Sequence, residues 1–297
     1  MKRTSLLLSL FSFLLLAFVI GNLLQSVHAH AATGGHVLQR EFNFQVNPNS
    51  GNMTYHGGPV MHGTAHLYAI FWEPTGSYVS PMYNSLILRY FSDVGSSPLY
   101  HNNSQYHNSH GTSPHNAVLA GSWVDTAAYP SNPVQDSDIQ NEVTHAQQVN
   151  GWASSIQAIF FVFTAKNEVT CGPYGCSFSG NCAYHDFFGS HPATIYADMP
   201  YAGSDQSGCG APTSPNHDVD ADREITLIDH EQMEAATDPL YTAWYSSYYN
   251  GGEIGDKCYG VYGNINKNGA NVIWNGHPYI VQEEWDNAKS GCVLKGS

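Results

Sequence analysis

Residues 229–238 read Asp-His-Glu-Gln-Met-Glu-Ala-Ala-Thr-Asp, which places one imidazole, His230, and two carboxylates, Glu231 and Glu234, within little more than one helical turn. A helix brings residues four apart onto one face, with roughly 5–6 Å between their β-carbons. His230 and Glu234 can therefore grip one ion while Glu231 projects beside it. Zinc accepts imidazole nitrogen and carboxylate oxygen, and a catalytic zinc site needs three protein ligands plus an open position for water. The chemistry predicted is hydrolysis by metal-activated water, with one zinc ion, His230 and Glu234 as ligands and Glu231 as general base. The commoner form of this motif carries a second histidine where this chain has Glu234. A plain surface helix, its His and Glu stabilising one another, is the competing reading. For the third ligand, Gly252-Glu253-Ile254-Gly255-Asp256-Lys257-Cys258 offers Glu253 or Asp256, in a glycine-rich segment that Cys258 can anchor. The spacing does not choose between them, and His217 and His277 are weaker substitutes.

The elements that must position these groups follow from periodicity. A helix is predicted over 222–237, with Asp218, Asp220 and Asp222 at the positive end of its dipole, Pro239 past its end, and Ile225, Ile228 and Ala235 as its apolar side. Apolar runs at 66–72, 116–123, 158–163 and 193–199 read as strands, and 81–94 and 136–149 as amphipathic helices. This succession predicts an α+β fold, a layered α/β sandwich on a mixed twisted sheet with a zincin-like helix at its site. The histidine-rich stretch 101–115 reads as a solvated loop, 170–189 as a disulfide-stapled loop, and Glu283-Glu284 as a charged turn. Ser207 lacks the glycine two positions before it that a nucleophile elbow requires, so a serine hydrolase is disfavoured. Tyr241, Tyr245 and Tyr259 are of a type that polarises a carbonyl, but tyrosine is too common here to assign one.

Met1-Lys2-Arg3, the apolar run 6–20 and Ala29-His30-Ala31 form the charged, apolar and cleavage regions of a signal peptide. Three parts are expected: a signal over 1–31, an extended arm over 32–52, and one domain over 53–297. Nothing later is apolar enough to span a bilayer, so no membrane partner is expected after cleavage. The net charge of −14 becomes −16 once Lys2 and Arg3 are removed, which excludes nucleic acid as a partner. In an exported chain the six cysteines, Cys171, Cys176, Cys182, Cys209, Cys258 and Cys292, are expected to form three disulfides, with Cys258 joined to Cys292 and the other four pairing among themselves.

The blocks Met53-Thr54-Tyr55-His56-Gly57-Gly58-Pro59-Val60, Ile70-Phe71-Trp72, Phe161-Val162-Phe163-Thr164-Ala165, Asp218-Val219-Asp220, Asp238-Pro239, Ala243-Trp244-Tyr245, Cys258-Tyr259-Gly260-Val261-Tyr262-Gly263 and Cys292 span most of the exported part. Through them the chain resembles the phosphate-induced protein 1 family, whose best-known plant members are the EXORDIUM proteins. The resemblance implies a secreted protein of the cell surface or cell wall, without a mechanism; the helix motif is similar to that of a zincin metallopeptidase. Two functions are therefore carried forward. The first is a secreted zinc-dependent hydrolase, a metallopeptidase with a peptide or protein substrate. The alternative is a non-catalytic, wall-associated protein that binds a cell-wall glycan or a protein partner.

Overall fold

The computed structural model describes residues 51–179, 181–206, 208–246 and 252–297; the expected signal and nearly all of the arm lie outside them. Five strands build the central sheet: β1 (Thr64–Trp72), β2 (Asn116–Asp125), β3 (Ala158–Thr164), β4 (Tyr184–Phe188) and β5 (Thr194–Met199). Their order is β4-β5-β3-β1-β2, with parallel pairing throughout except at the antiparallel edge pair β4–β5. The helices are α1 (Tyr83–Asp93), α2 (Asp136–Asn150) and α3 (Val219–Thr237). A mixed sheet between helical layers is the α+β sandwich expected, and its three disulfides lie in the C-terminal half.

The continuous apolar run of β3 has a physical cause. Parallel strands covered on both faces cannot alternate with polar residues, and all seven residues of β3 are buried. Side chains on a strand alternate between faces: Ile159, Phe161 and Phe163 join the core shared with α1 and α3, whereas Ala158, Phe160 and Val162 join the one shared with α2. Phe161 has no exposed surface and packs against Phe91 of α1 with tilted rings, 4.9 Å between ring centres. We expect Phe161→Ala to destabilise the fold by about 3–5 kcal/mol, the cost of lost burial plus a cavity that neighbouring strands cannot fill, read from the midpoint of urea unfolding.

Three expectations are corrected. Residues 170–189 are not only a stapled loop, because β4 occupies 184–188. Stretch 101–115 is not simply solvated: it opens with a short helical turn, Tyr100–Gln105, in which Asn102 and Asn103 are buried and Asn102 Nδ2 donates to Trp285 O. Glu284 is no surface turn either; it begins the short strand Glu284–Asp286 and is wholly buried.

Candidate metal centre

α3 is buried along almost its whole length instead of lying on a surface. Asp218 caps it, accepting from Ala221 N at 3.1 Å and from Ser80 Oγ at 2.6 Å. Asp220 and Asp222 are likewise taken up by neighbours, through Tyr201 OH and Ser214 Oγ. Every residue of the 19 except Val219 and Arg223 is buried, including the polar run Asp229-His230-Glu231-Gln232 and Glu234. A two-sided amphipathic helix would have exposed half of these, so the plain surface helix is excluded.

Two imidazoles meet four carboxylates at this helix. His230 Nε2 lies 3.0 Å from Glu234 Oε1 and 3.7 Å from Asp256 Oδ1. Glu231 Oε2 lies 3.4 Å from Nδ1 of His185 on the edge strand β4, and Glu234 Oε2 approaches the same nitrogen at 3.6 Å. Glu234 thus links both rings. Glu253 lies on the far side of His185, its Oε1 4.0 Å from Nε2. The two residues between which the sequence left the third ligand open therefore have different neighbours: Asp256 stands with His230, Glu253 with His185.

The segment carrying Glu253 and Asp256 is held against α3 by its backbone. Asp256 N–H donates to Glu234 Oε1 at 3.0 Å, and Glu253 N–H donates to Asp256 Oδ2 at 3.1 Å. Gly255 passes so close to the His230 ring that a β-carbon there would come within 2.7 Å of Nδ1, which explains the glycine. Gln282 Nε2 donates to Gly255 O at 2.7 Å and lies 3.3 Å from His230 Nδ1. The Cys258–Cys292 disulfide, spanning 34 residues, closes the segment. Replacing both cysteines by serine is expected to cost about 3–4 kcal/mol for a loop of that length, measured by guanidinium unfolding under non-reducing conditions.

Burial and charge set the protonation of the cluster. Burial lowers the pKa of both histidines, but the carboxylates raise them more: Glu231 and Glu234 bring His185 to about 10, and Glu234, with Glu231 and Asp256, brings His230 to about 10. Burial pushes Glu234 up, yet His230 and His185 together draw it down to about 2. Glu231 is raised by burial despite its contact with His185. Glu253 is raised far above the ordinary range by burial and then by Glu234, Asp238 and Asp256, and Glu284 by burial and then Asp229 and Glu234. His185 Nε2, His230 Nε2, Glu231 Oε1, Glu234 Oε2 and both oxygens of Glu253 are buried and make no hydrogen bond, only the ion-pair contacts given above where they have any. The cluster meets solvent at Asp256, whose side chain is 15% exposed. A cavity of about 360 Å³, bordered by Arg223, Thr226, Tyr259 and Gln282, lies beside α3.

His217 is exposed in a left-handed backbone conformation, and His277 binds Asp93 at 2.6 Å, so neither reaches the cluster. Of the three tyrosines, Tyr241 donates its hydroxyl to His185 O, whereas Tyr245 stacks on His56 at the surface and Tyr259 borders the cavity. His185 was not anticipated. Its signal was the aromatic run Tyr184-His185-Asp186-Phe187-Phe188, followed by a Gly-Ser-His-Pro turn and a clear strand, which together read as a hairpin. Tyr184 lies in the core shared with α2, so alternation turns His185 to the α3 face.

The phosphate-induced protein 1 conserved region is matched over residues 53–294. The chain belongs to this family. Among relatives of this phosphate-induced protein 1 chain, Protein EXORDIUM-like 5 of Arabidopsis thaliana is 24% identical over 249 residues, covering 74% of this chain and 67% of that protein. Protein EXORDIUM-like 3 of the same plant is 30% identical over 146 residues, covering 38% of this chain and 43% of that protein. No solved structure matches this family member. Its six cysteines all form disulfides, and among the described residues no helix is long and apolar enough to cross a membrane.

Proposed function

We propose that this family member is an exported zinc-dependent hydrolase acting on peptide bonds, with His230, Glu234 and Asp256 as the ligands of one ion and Glu231 as general base. The observation that carries this reading is the set of six buried nitrogen and oxygen atoms without hydrogen-bond partners, on two histidines and three glutamates around α3. Buried charges are paired or coordinate metals, and the only positive groups within ion-pair distance of Glu231, Glu234 and Glu253 among the described residues are the two imidazoles. The donor set fits zinc: His230 Nε2 lies 3.0 and 3.7 Å from the two carboxylates, which brackets the edge of about 3.4 Å of a tetrahedron with bonds of 2.0–2.2 Å. Zinc supplies Lewis acidity, polarising a carbonyl and lowering the pKa of water toward neutrality.

The chain's own residues supply the rest. Glu231 Oε1 is the oxygen turned away from His185 and free to take a proton from water and return it to the leaving amine. Burial raises the Glu231 pKa, which makes its carboxylate a stronger base than a solvated one. His185 holds the other oxygen, fixing the carboxylate's orientation. The signal-like N-terminus and the disulfides support export.

Metal analysis tests the assignment. Purified protein is expected to hold one zinc at the centre, Asp256→Ala to lose it, and Glu253→Ala to keep it; absence of zinc from the unsubstituted protein refutes the reading.

A second reading has its own observation. Thr54–Tyr55 pairs with Trp244–Tyr245 at the surface, where Tyr55 and Trp244 lie 5.5 Å apart and Tyr245 stacks on His56 at 3.7 Å. Such an aromatic ledge suits a cell-wall glycan or a protein partner, the non-catalytic role. Binding of soluble wall glycans by the intact protein, lost in Trp244→Ala, is the result that favours it.

A further inference from the structure

On the opposite face of the sheet, α2 lies against the strands far along the chain from the α3 centre, and three potential ligands converge there. We propose that Asp125, Glu142 and His145 form a separate binding site for a divalent transition-metal ion of the zinc type, which clasps the edge strand β2 to α2. Asp125 is the last residue of β2, and Glu142 and His145 stand one turn apart on α2. His145 Nδ1 lies 3.5 Å from Asp125 Oδ2 and 3.7 Å from Glu142 Oε2, and one donor atom from each residue falls within 4.8 Å of the others.

The second observation is the burial of the carboxylates. The side chains of Asp125 and Glu142 are only 10% and 5% exposed, and Glu142 Oε1 is buried with no hydrogen-bond partner. A surface acidic pair is solvated and asks for nothing, whereas an unpartnered buried carboxylate oxygen is costly. Asp125 is oriented from behind, its Oδ1 accepting from Ala127 N at 2.8 Å. The Trp123 indole and the His145 ring meet at right angles, with centres 5.2 Å apart and planes at 89°. His145 is half exposed, so the site has an entrance and room for water to complete a coordination shell.

Charge points the same way. Burial, and then the neighbouring Asp125, push Glu142 up to about 8. A dication held between the two carboxylates offsets the cost of burying them side by side. The imidazole selects zinc-like ions over calcium or magnesium, which take oxygen ligands.

The test is zinc stoichiometry and zinc-dependent melting temperature of the intact protein at pH 7.5, with calcium chloride as control. Glu142→Gln keeps the shape of the side chain, and His145→Ala alters a half-exposed position, so both variants fold. Each is expected to bind one zinc fewer than the unsubstituted protein and to show a smaller zinc-induced rise in Tm, while ions bound at α3 are retained. This difference is independent of how many ions α3 holds. Equal stoichiometry in the unsubstituted protein and both variants overturns the site, and so does displacement of the extra zinc by equimolar calcium.

Discussion

Glu231→Gln is expected to keep its zinc and lose peptide hydrolysis, with kcat falling about 10²- to 10⁴-fold, the usual contribution of a general base. The isosteric amide can still meet His185 but cannot accept the proton that water must shed. The ligands assigned to the ion are His230, Glu234 and Asp256, so the metal content should not change. Separate measurements of kcat and KM on a fluorogenic peptide library, beside zinc analysis of the same preparation, give the decisive comparison. A loss confined to kcat marks an interaction made in the transition state. Full activity removes Glu231 from the mechanism; loss of zinc makes it a ligand instead, with His185 as its companion. The two results lead to different sites, because Glu231 Oε2 lies 3.4 Å from His185 Nδ1 while His230 stands with Glu234 and Asp256.

Much of this arrangement was legible in the chain, for identifiable reasons. α3 announced itself through Asp218 at its start and Pro239 beyond its end, since caps and breakers act locally and need no knowledge of the tertiary fold. The strands β1, β2, β3 and β5 were visible because burial on both faces or on one leaves a compositional trace. The same local logic concealed β4. Its five residues are flanked by Cys182 and Gly189, and a short edge strand carries neither the length nor the apolar continuity of its neighbours. His185 was missed with it, the one member of the six-residue cluster that the sequence did not single out. The separation of Asp256 from Glu253 was out of reach for another reason: they differ by three positions in an irregular segment, and their neighbours are set by the turn at Gly255 and by the disulfide at Cys258. The depth of α3 was also invisible, because a helix with Asp229, His230, Glu231, Gln232 and Glu234 in sequence has the composition of a solvent-facing one.

Glu234→Gln should have the widest consequences, because this carboxylate is shared. One oxygen lies 3.0 Å from His230 Nε2 and the other 3.6 Å from His185 Nδ1. The variant is expected to lose the zinc of the α3 centre together with all measurable hydrolysis, since a neutral amide is a poor ligand. With a chelator present it should also be less stable at pH 7 by about 3–5 kcal/mol, the usual cost of removing one partner from a buried ionic group. The pH dependence separates this loss from a simple packing defect. Glu234 has a folded pKa of about 2, below its ordinary 4.5, so its contribution is fully present above pH 4.5 and lost as pH falls through 2. His185 and His230 have folded pKa values of about 10, above their ordinary 6.5, so theirs is present below pH 6.5 and lost as pH rises through 10. Removing the shared charge weakens both effects at once. Urea unfolding of the chelated proteins across pH 2 to 10 should therefore show a dome for the unsubstituted chain and a lower, flatter one for Glu234→Gln. Parallel curves displaced by a constant amount are the result that defeats the argument, for they would mean that Glu234 supports the fold by shape and not by its charge.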